Sequence, residues 1–377
     1  MARVMLRANG NSGFLFVNNF VRKLPMPERR GFQARIKLPS GTINLPNRPI
    51  DLPANSYFIW PLNLDLGAGT LNYSTAQLLS CMNGKSEATY FFFAIPGLRT
   101  EFAFDADNVA SVQTSNGSLT RTDHSILIQN IEPGRNTVLQ VTGKNGRNAR
   151  IILLTQLQAE RFWRFPIGGI DTALLSPAEL FADTDGIHLR SKDPALLTAS
   201  LFQSDGSALW HESNWKIAPR KIDFDWSSSR QAAPRPAIRM ASHVEGRDRP
   251  MPQAPEEADF AAAAAWTLKI PSQPMASLSD IFVRIHYAGD VARLSLDGRL
   301  LDDNFFNGST WEIGLKRFLP DAFDKKLEVS VLPLPSTAPI YLDARAWQSM
   351  NTSGQTARII GIEVLPEYEV VFNTAKP

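Results

Sequence analysis

Carboxylates and aromatic rings lie close together in the stretch GDVARLSLDGRLLDDNFFNGSTWEIGL, residues 289–315. These are Asp302, Asp303, Glu312, Phe305, Phe306 and Trp311. A retaining glycosidase needs two carboxyl groups roughly 5–5.5 Å apart across the scissile bond. Adjacent residues of an extended strand point to opposite faces, so Asp302 and Asp303 could converge only in a turn. The sequence therefore favours turn residues that satisfy backbone NH groups over a catalytic pair, with calcium or sugar binding as the next alternatives.

The same stretch is the best candidate for contact with carbohydrate. An exposed aromatic ring beside Asn and Asp can stack on the apolar face of a pyranose while the polar side chains bind its hydroxyl groups. The predicted carbohydrate-binding residues are Asp302, Asp303, Asn304, Phe306, Asn307 and Trp311. Trp311 and Glu312 begin a predicted strand, so one of them faces the core and the other faces solvent. An aromatic residue in a β-sandwich is usually core, and an exposed Trp311 would be a sugar platform.

Two other groups of residues could do chemistry. His211 and Glu212, flanked by Trp210 and Trp215, could form an acid/base pair with a sugar platform, although a half-buried interface strip is the favoured interpretation. His188 follows Asp183 and Asp185 and could join a metal site, but the Asp-Thr-Asp-Gly sequence lacks the later Glu of a full calcium loop. A plain turn is favoured there, and the sequence predicts neither catalytic nor metal-binding residues.

Composition excludes several classes of function. The net charge is only +2, and no basic stripe is present, so neither nucleic acid nor a membrane surface is an expected partner. No apolar run reaches the ~18 residues that a membrane-spanning helix requires. Cys81 is the only cysteine and lies in the apolar run AQLLSCM, which favours a buried small hydrophobe over a reactive thiol. No phosphate-binding, nucleophile-elbow or zinc-protease motif occurs, and we expect no cofactor.

The elements that must position these residues are β-strands. Short runs rich in Phe, Tyr, Val, Ile and Thr alternate with Gly, Asn and Pro turns, as in GFLFVNNF (13–20) and SYFIWPLNLDL (56–66). Asp297-Gly298 predicts a tight hairpin between VARLSL and RLL. The first residues already alternate, so the sequence begins within or just before a strand, and no apolar segment typical of a signal peptide follows. The pattern predicts an all-β protein.

Length and composition suggest two or three domains. Residues 1–155 are expected to form an all-β sandwich, and residues 156–226 a connector helix, QLQAERFWRF (156–165), followed by a small middle β region. Residues 227–262 are rich in Pro, Ala and Arg and poor in large apolar residues, which predicts a long linker that wraps along a neighbour. Residues 263–377 are expected to form a second sandwich, a jelly roll.

Four segments resemble the regions that follow the catalytic barrel in bacterial β-galactosidases of glycoside hydrolase family 35. They are SGFLFVNNFVRKLPMP (12–27), LPANSYFIWPLNLDLGAGTLNYSTAQLL (52–79), ATYFFFAIPGLRTEFAFD (88–105) and DIFVRIHYAGDVARLSLDGRLLDDNFFNGSTWEIGLKRF (280–318). The resemblance extends over nearly the whole chain, and the last segment is its most specific part. It implies β-sandwich domains, the last of them galactose-binding-like, that accompany a TIM-barrel domain or subunit.

The parent reaction implied by the resemblance is retaining hydrolysis of terminal β-galactosides. The catalytic glutamates of that family lie on the barrel, in segments without a counterpart here, so the chain is expected to be inactive alone. It would support the barrel, contact β-galactosides, and lie in the periplasm or outside the cell. An apolar face for the barrel is expected near ATYFFFAI (88–95). The alternatives are a stand-alone carbohydrate-binding module and an enzyme with an unfamiliar site in a sandwich.

Overall fold

A computed structural model describes residues 2–84, 87–167, 170–203, 209–241, 250–272 and 274–372. The chain forms two compact units. The first comprises Met1–Pro177 and Thr198–Asn214, and the second comprises Ala178–Leu197 and Trp215–Pro377. More than half of the described residues are in strands and few are in helices, which confirms the all-β prediction. None of the described helices is long and apolar enough to cross a membrane.

The first unit contains most of the N-terminal strands and one short helix. In chain order, the elements up to the middle of the chain are β1 (Arg3–Asn9), β2 (Ser12–Asn18), β3 (Arg29–Leu38), β4 (Gly41–Leu52), β5 (Tyr57–Asp65), β6 (Thr70–Ser74), β7 (Gln77–Asn83), β8 (Glu87–Phe93), β9 (Glu101–Asp105), β10 (Val109–Thr114), β11 (Ser118–Arg121), β12 (Ser125–Gln129), β13 (Val138–Gly143), β14 (Asn148–Leu154), α1 (Gln156–Glu160), β15 (Phe162–Ile167), β16 (Ile170–Leu175), β17 (Glu179–Ala182), β18 (Ile187–Ser191), β19 (Thr198–Phe202) and β20 (Trp210–Asn214). Of these, β17 and β18 belong to the second unit.

Three sheets and a hairpin build the first unit. The outer sheet has the strand order β1-β2-β5-β6-β9-β12-β11, the central sheet β10-β13-β14-β8-β7, and the small sheet β15-β16-β19-β20. Buried aromatic and aliphatic residues such as Phe92, Phe102 and Phe104 join the outer sheet to the central sheet. The hairpin β3–β4 covers the other face of the outer sheet over Trp60 and Phe58, and the small sheet covers the other face of the central sheet.

The Phe-rich run 88–95 is core, which corrects the prediction of an exposed apolar face there. Most of the run lies on β8, which is hydrogen-bonded to β14 on one side and β7 on the other. Phe92 packs toward the outer sheet, and Phe91 packs toward Phe202 and Trp210 of the small sheet. A strand buried on both faces is apolar at consecutive positions, so a continuous apolar run does not by itself indicate an exposed surface.

The predicted connector helix is shorter in the structure than in the sequence analysis. It ends at Glu160, and Phe162–Ile167 form strand β15, which pairs with β16. Thr155 caps the helix by accepting from the backbone NH of Gln158, whose side chain accepts from the NH of Thr155 in return. The aromatic residues after Glu160 favour an extended backbone and pack in the small sheet.

The second unit is a further β-sandwich. Its remaining elements are β21 (Asp225–Arg230), β22 (Met240–Ala241), β23 (Met251–Pro252), β24 (Ala264–Lys269), β25 (Leu278–Ala288), β26 (Val291–Leu296), β27 (Arg299–Phe305), β28 (Trp311–Gly314), β29 (Lys326–Val331), β30 (Leu334–Pro335), α2 (Ala344–Trp347), β31 (Gln355–Thr356) and β32 (Arg358–Phe372), with 3₁₀ turns at Pro194–Leu196, Glu257–Ala262 and Lys316–Phe318. The front sheet has the order β17-β18-β32-β25-β28 and the back sheet β21-β24-β29-β26-β27. Alternate residues of β25 and β26 are buried, as sandwich strands require.

The predicted hairpin at Asp297-Gly298 is confirmed. Strands β26 and β27 pair in antiparallel register, and both turn residues have positive φ, 51° at Asp297 and 79° at Gly298. Two consecutive residues with positive φ are the signature of the turn that matches the twist of a hairpin. The buried face of β26 consists of Ala292, Leu294 and Leu296, and Val291 at the start of the strand is buried as well.

The stretch 227–262 is tied to the rest of the second unit at several points. Strand β21 pairs with β24, so the first residues of the stretch belong to the back sheet. Arg235 is 8% exposed, and its guanidinium pairs with Asp290 and donates to the carbonyl oxygen of Pro333. The amide of Gln355 donates to the carbonyl of Arg235 and accepts from its NH. These contacts offset the conformational entropy that is lost when the stretch is ordered, which its few large apolar residues could not offset alone.

Candidate functional site

The predicted carbohydrate-binding residues lie on the edge strand β27, on the loop that follows it and, for Trp311, at the start of β28. Phe306 and Trp311 are buried, 6% and 4% exposed, and pack against Tyr287 at centroid distances of 5.4 and 6.3 Å. The Tyr287 hydroxyl donates to Asn304, 2.8 Å from its side-chain oxygen. Both rings are therefore core residues with covered faces. The exposed aromatic ring of this stretch is Phe305, 56% exposed, which the sequence analysis did not choose.

Asp302 and Asp303 do not form the turn that the sequence favoured. Asp302 and Asp303 lie within strand β27, opposite Leu294 and Arg293, and not in a turn. Asp302 pairs with Arg317 at 2.8 Å, and Asp303 is exposed. The sequence favoured a turn because Asp-Asp-Asn is typical of one, but the tight turn is completed five residues earlier at Asp297-Gly298.

Glu312 and Asn307 also have structural partners. Glu312 is exposed on the front sheet and binds Lys192 at 2.6 Å, with Arg284 at 3.4 Å. The side chain of Asn307 accepts from the NH of Ser309 at 2.8 Å and so supports the loop before β28. Among the six predicted residues, Asp303 and Asn307 are the exposed ones, and contact with sugar at this stretch remains a prediction that depends on them.

The group around His211 is split by its packing. Trp210 is buried in the core of the small sheet, and its indole NH donates to the carbonyl of Arg135 at 2.7 Å. Glu212 pairs with Arg135 and accepts from Ser200 at 2.9 Å, whereas His211 is exposed on the opposite face of β20. Trp215 belongs to the second unit, where its ring lies 4.9 Å from that of Phe372. Consecutive positions of β20 place His211 and Glu212 on opposite faces, so the strand does not bring them together as an acid/base pair.

His188 is a buried titratable group of the second unit with two carboxylate partners. Its two ring nitrogens lie 2.8 Å from Glu369 and 2.9 Å from Asp183, and its ring stacks on Phe181. Burial disfavours the charged imidazole, but the hydrogen bonds to Asp183 and Glu369 outweigh that effect and raise the pKa of His188. In the described part of the chain, no group of three or more His, Cys, Asp and Glu side chains could hold a metal ion. Hydrogen bonds from His188 and Arg190 to Glu369 join the side chains of β18 to those of β32.

Cys81 is half-buried against the core between the outer and central sheets. Burial raises the pKa of its thiol, so the thiolate that a nucleophile or a metal ligand requires is disfavoured. The side chain behaves as the small hydrophobe that the sequence predicts.

An uncovered apolar face lies at the β1 edge of the outer sheet. The register aligns Met5, Phe16 and Ile59 in one row across β1, β2 and β5. Met5 and Ile59 are 59% and 39% exposed, and Tyr57 and Phe20, whose rings lie 5.8 Å apart, extend the surface. We call these five residues the β1–β2–β5 apolar face. The hairpin β3–β4 packs on the opposite face of these strands, over Leu15, Val17, Phe58 and Trp60.

The sequence contains a pattern that indicates this face. Runs such as GFLFV (13–17) and YFIWP (57–61) are apolar on both alternating phases. Such a run predicts burial on both sides of a strand. Here the strands lie near the edge of the outer sheet, and only one side is covered within the described residues.

Comparison with known protein families gives a match that lies in the first unit. Residues 2–162 match the family model described as beta-galactosidase, domain 2. The matched segment contains strands β1 to β14, and so the whole outer and central sheets, together with helix α1. The match supports a non-catalytic domain of β-galactosidase type in this part of the chain, in agreement with the resemblance in the sequence. No curated protein matches the chain.

Proposed function

We propose that this chain is the non-catalytic β-sandwich part of a family 35 β-galactosidase and that it supports the catalytic barrel of that enzyme. The observation that carries the proposal is the match of residues 2–162 to domain 2 of β-galactosidase. The four segments that resemble family 35 extend the argument to the second unit, because the last of them covers residues 280–318. The parent reaction is release of terminal β-linked galactose with retention of configuration.

The β1–β2–β5 apolar face supports the proposal by supplying a surface for the barrel. Large contiguous apolar patches are rare on the surface of a monomer and usually mark an interaction site. A domain numbered second in the description of its family works beside another domain of the same enzyme. Met5, Tyr57 and Ile59 are well exposed and lie on paired strands. The backbone beneath the face is therefore held in place before a partner binds.

The carboxylates of the second unit support a non-catalytic role. Asp302 and Glu312 are each held by a cation, Arg317 and Lys192, and lie on different sheets. A glycosidase pair needs one protonated and one ionised carboxyl group across the substrate. Because each of these carboxylates is held by its own cation on a different sheet, the two do not form such a pair, and we assign the chemistry to the barrel.

The test combines the purified chain with a separately produced catalytic barrel of a family 35 β-galactosidase from the same source. The chain alone should not hydrolyse an aryl β-galactoside, and it should associate with the barrel in sedimentation experiments. A Met5→Lys, Ile59→Lys double variant should lose the association, whereas Leu119→Lys on β11 of the same sheet should keep it, since Leu119 is exposed far from this face in the strand order. Hydrolysis by the chain alone, or association unaffected by the double variant, would refute the proposal.

A further inference from the structure

We propose that a cleft of the first unit, in whose lining asparagine is the most frequent residue, binds a neutral carbohydrate. This inference concerns a different part of the molecule from the predicted residues of β27 and goes beyond the supporting role proposed above. The cleft lies between the hairpin β3–β4 and the outer sheet and encloses about 730 Å³. That volume is within the roughly 300–1,000 Å³ typical of small-molecule sites.

The lining of the cleft selects the class of ligand. Asparagine is its most frequent residue type, and the charged side chains are those of Asp105 and Asp107, with His124 nearby. No Lys or Arg is among the described residues that line it, so phosphates, sulfates and uronates would meet carboxylates without a compensating cation. Amides donate and accept hydrogen bonds and carboxylates accept them, both in fixed directions, so these groups suit the hydroxyl groups of a neutral ligand.

The floor of the cleft provides an apolar counterpart. Tyr73, Ala103 and Leu127 of the outer sheet lie beneath it, and Ile43 of the hairpin forms part of its wall. A pyranose has polar hydroxyl groups at its edge and apolar C–H groups on its faces. A floor of aliphatic and aromatic groups with an amide rim therefore complements such a ring better than it complements an ion.

Lining amides on both sides of the cleft are available to a ligand. Asn63 donates to the carbonyl of Asn11 at 2.8 Å, and the side chain of Asn11 accepts from Ser40, so these two residues build the cleft. Among the described residues, the side chains of Asn44 on the hairpin and Asn72 on the outer sheet have no hydrogen-bond partner. They stand on different elements that border the cleft, so both could bind one ligand.

A buried carboxylate fixes the cleft in shape. Glu101 is fully buried and accepts from the Tyr73 hydroxyl at 2.7 Å, from the NH of Asn47 at 2.7 Å and from the Gln129 amide at 2.9 Å. The first of these partners belongs to the floor and the second to the hairpin wall. Because one carboxylate holds both, the two sides keep their spacing without a ligand, and binding costs little conformational entropy.

The experiment is calorimetric titration of the full chain with galactose, glucose, lactose and cellobiose, with galacturonate and CaCl₂ as charged comparisons. We expect saturable binding of at least one neutral sugar with a Kd below ~10 mM, weakened about five- to tenfold by Asn44→Ala and by Asn72→Ala, as loss of one hydrogen bond predicts. Galacturonate should bind at least about fivefold more weakly than galactose. Asn148→Ala, on an exposed position of the central sheet, is the matched control and should leave the Kd unchanged.

Four outcomes would overturn this assignment. They are no saturable sugar binding up to ~50 mM, tighter binding of galacturonate, binding of calcium alone, and sugar binding that is lost in Asp303→Ala but kept in Asn72→Ala. The last outcome would place the site on β27. Association with the barrel is measured with the Met5 and Ile59 variant, so failure of this assignment and failure of the supporting role are separate results.

Discussion

At the scale of single residues, the ion pair of Arg235 and Asp290 is the contact whose loss should cost the second unit most. Both side chains are nearly buried, 5% and 12% exposed. Arg235→Met would leave the Asp290 carboxylate buried without its cation, and we expect the free energy of unfolding to fall by about 3–5 kcal/mol. Urea denaturation followed by tryptophan fluorescence measures this change.

The control is Arg239, which pairs with Asp259 and Glu256 at the surface and is 41% exposed. Arg239→Met should cost under about 1 kcal/mol, because an exposed pair is screened by water. Equal losses for the two variants would show that Arg235 does not anchor the stretch 227–262.

The raised pKa of His188 makes the stability of the second unit depend on pH. Asp183 and Glu369 bind its two ring nitrogens, and Arg190 binds Glu369 at 3.0 Å, so these are the charged groups that face it. The pKa of His188 is raised, so its contribution to stability is fully present below the unfolded value of ~6.5 and is lost as pH rises through the folded value. An NMR titration of the imidazole should give a folded pKa above ~6.5.

Two substitutions test whether the contact with Asp183 raises the pKa of His188. Asp183→Asn should lower the pKa of His188, because the amide cannot stabilise the imidazolium as the carboxylate does. Asp185→Asn is the matched control, since Asp185 contacts Asp183 only through its backbone NH. A pKa that responds equally to both substitutions would contradict the assigned pairing.

At the scale of elements, the hairpin β26–β27 gives a sharp test of backbone conformation. Gly298 has φ of 79° and open space around the position of a Cβ, so Gly298→Ala would be strained without any clash. We expect a loss of about 1–2 kcal/mol in the free energy of unfolding. Gly361→Ala, also in open space but on strand β32, should be neutral or stabilising, because alanine suits an extended backbone better than glycine. A neutral Gly298→Ala would show that the turn relaxes to another type.

Local sequence patterns explain why some elements were predicted and others were not. The Asp297-Gly298 turn depends on two neighbouring residues, so its chemistry is visible in the sequence. Whether Phe91 and Phe92 are buried depends on the small sheet and the outer sheet, whose residues are distant in sequence. Likewise, Asp302 and Asp303 have turn propensity, but pairing with Leu294 and Arg293 places them in a strand. Local propensity determined the secondary structure where tertiary contacts were few, and packing determined it elsewhere.

At the scale of the whole molecule, the division into two units could not be predicted from the sequence. Strand β18 pairs with β32, which joins Arg190 to Glu369 across almost half of the chain. The following strands, β19 and β20, return to the small sheet of the first unit. Composition marks a linker where large apolar residues are few, but it cannot show which distant strand a segment will pair with.

The amide-lined cleft was missed for the same reason. Asn44 and Asn72 lie on different elements and have no common motif. The sequence instead drew attention to β27, where acidic and aromatic residues are neighbours along the chain. Residues that are adjacent in sequence alternate faces in a strand, whereas a binding cleft gathers residues from several strands.

The β1–β2–β5 apolar face leads to the last prediction, which concerns the isolated chain. With this face uncovered, the chain should bind a hydrophobic dye or self-associate, because burial of Met5, Ile59 and Tyr57 against any apolar partner is favourable. The Met5→Lys, Ile59→Lys variant should reduce dye fluorescence severalfold and remain monomeric in sedimentation, while Leu119→Lys should behave like the parent chain. Dye binding that persists in the double variant would mean that another apolar surface is the exposed one, and the barrel would then have to dock elsewhere.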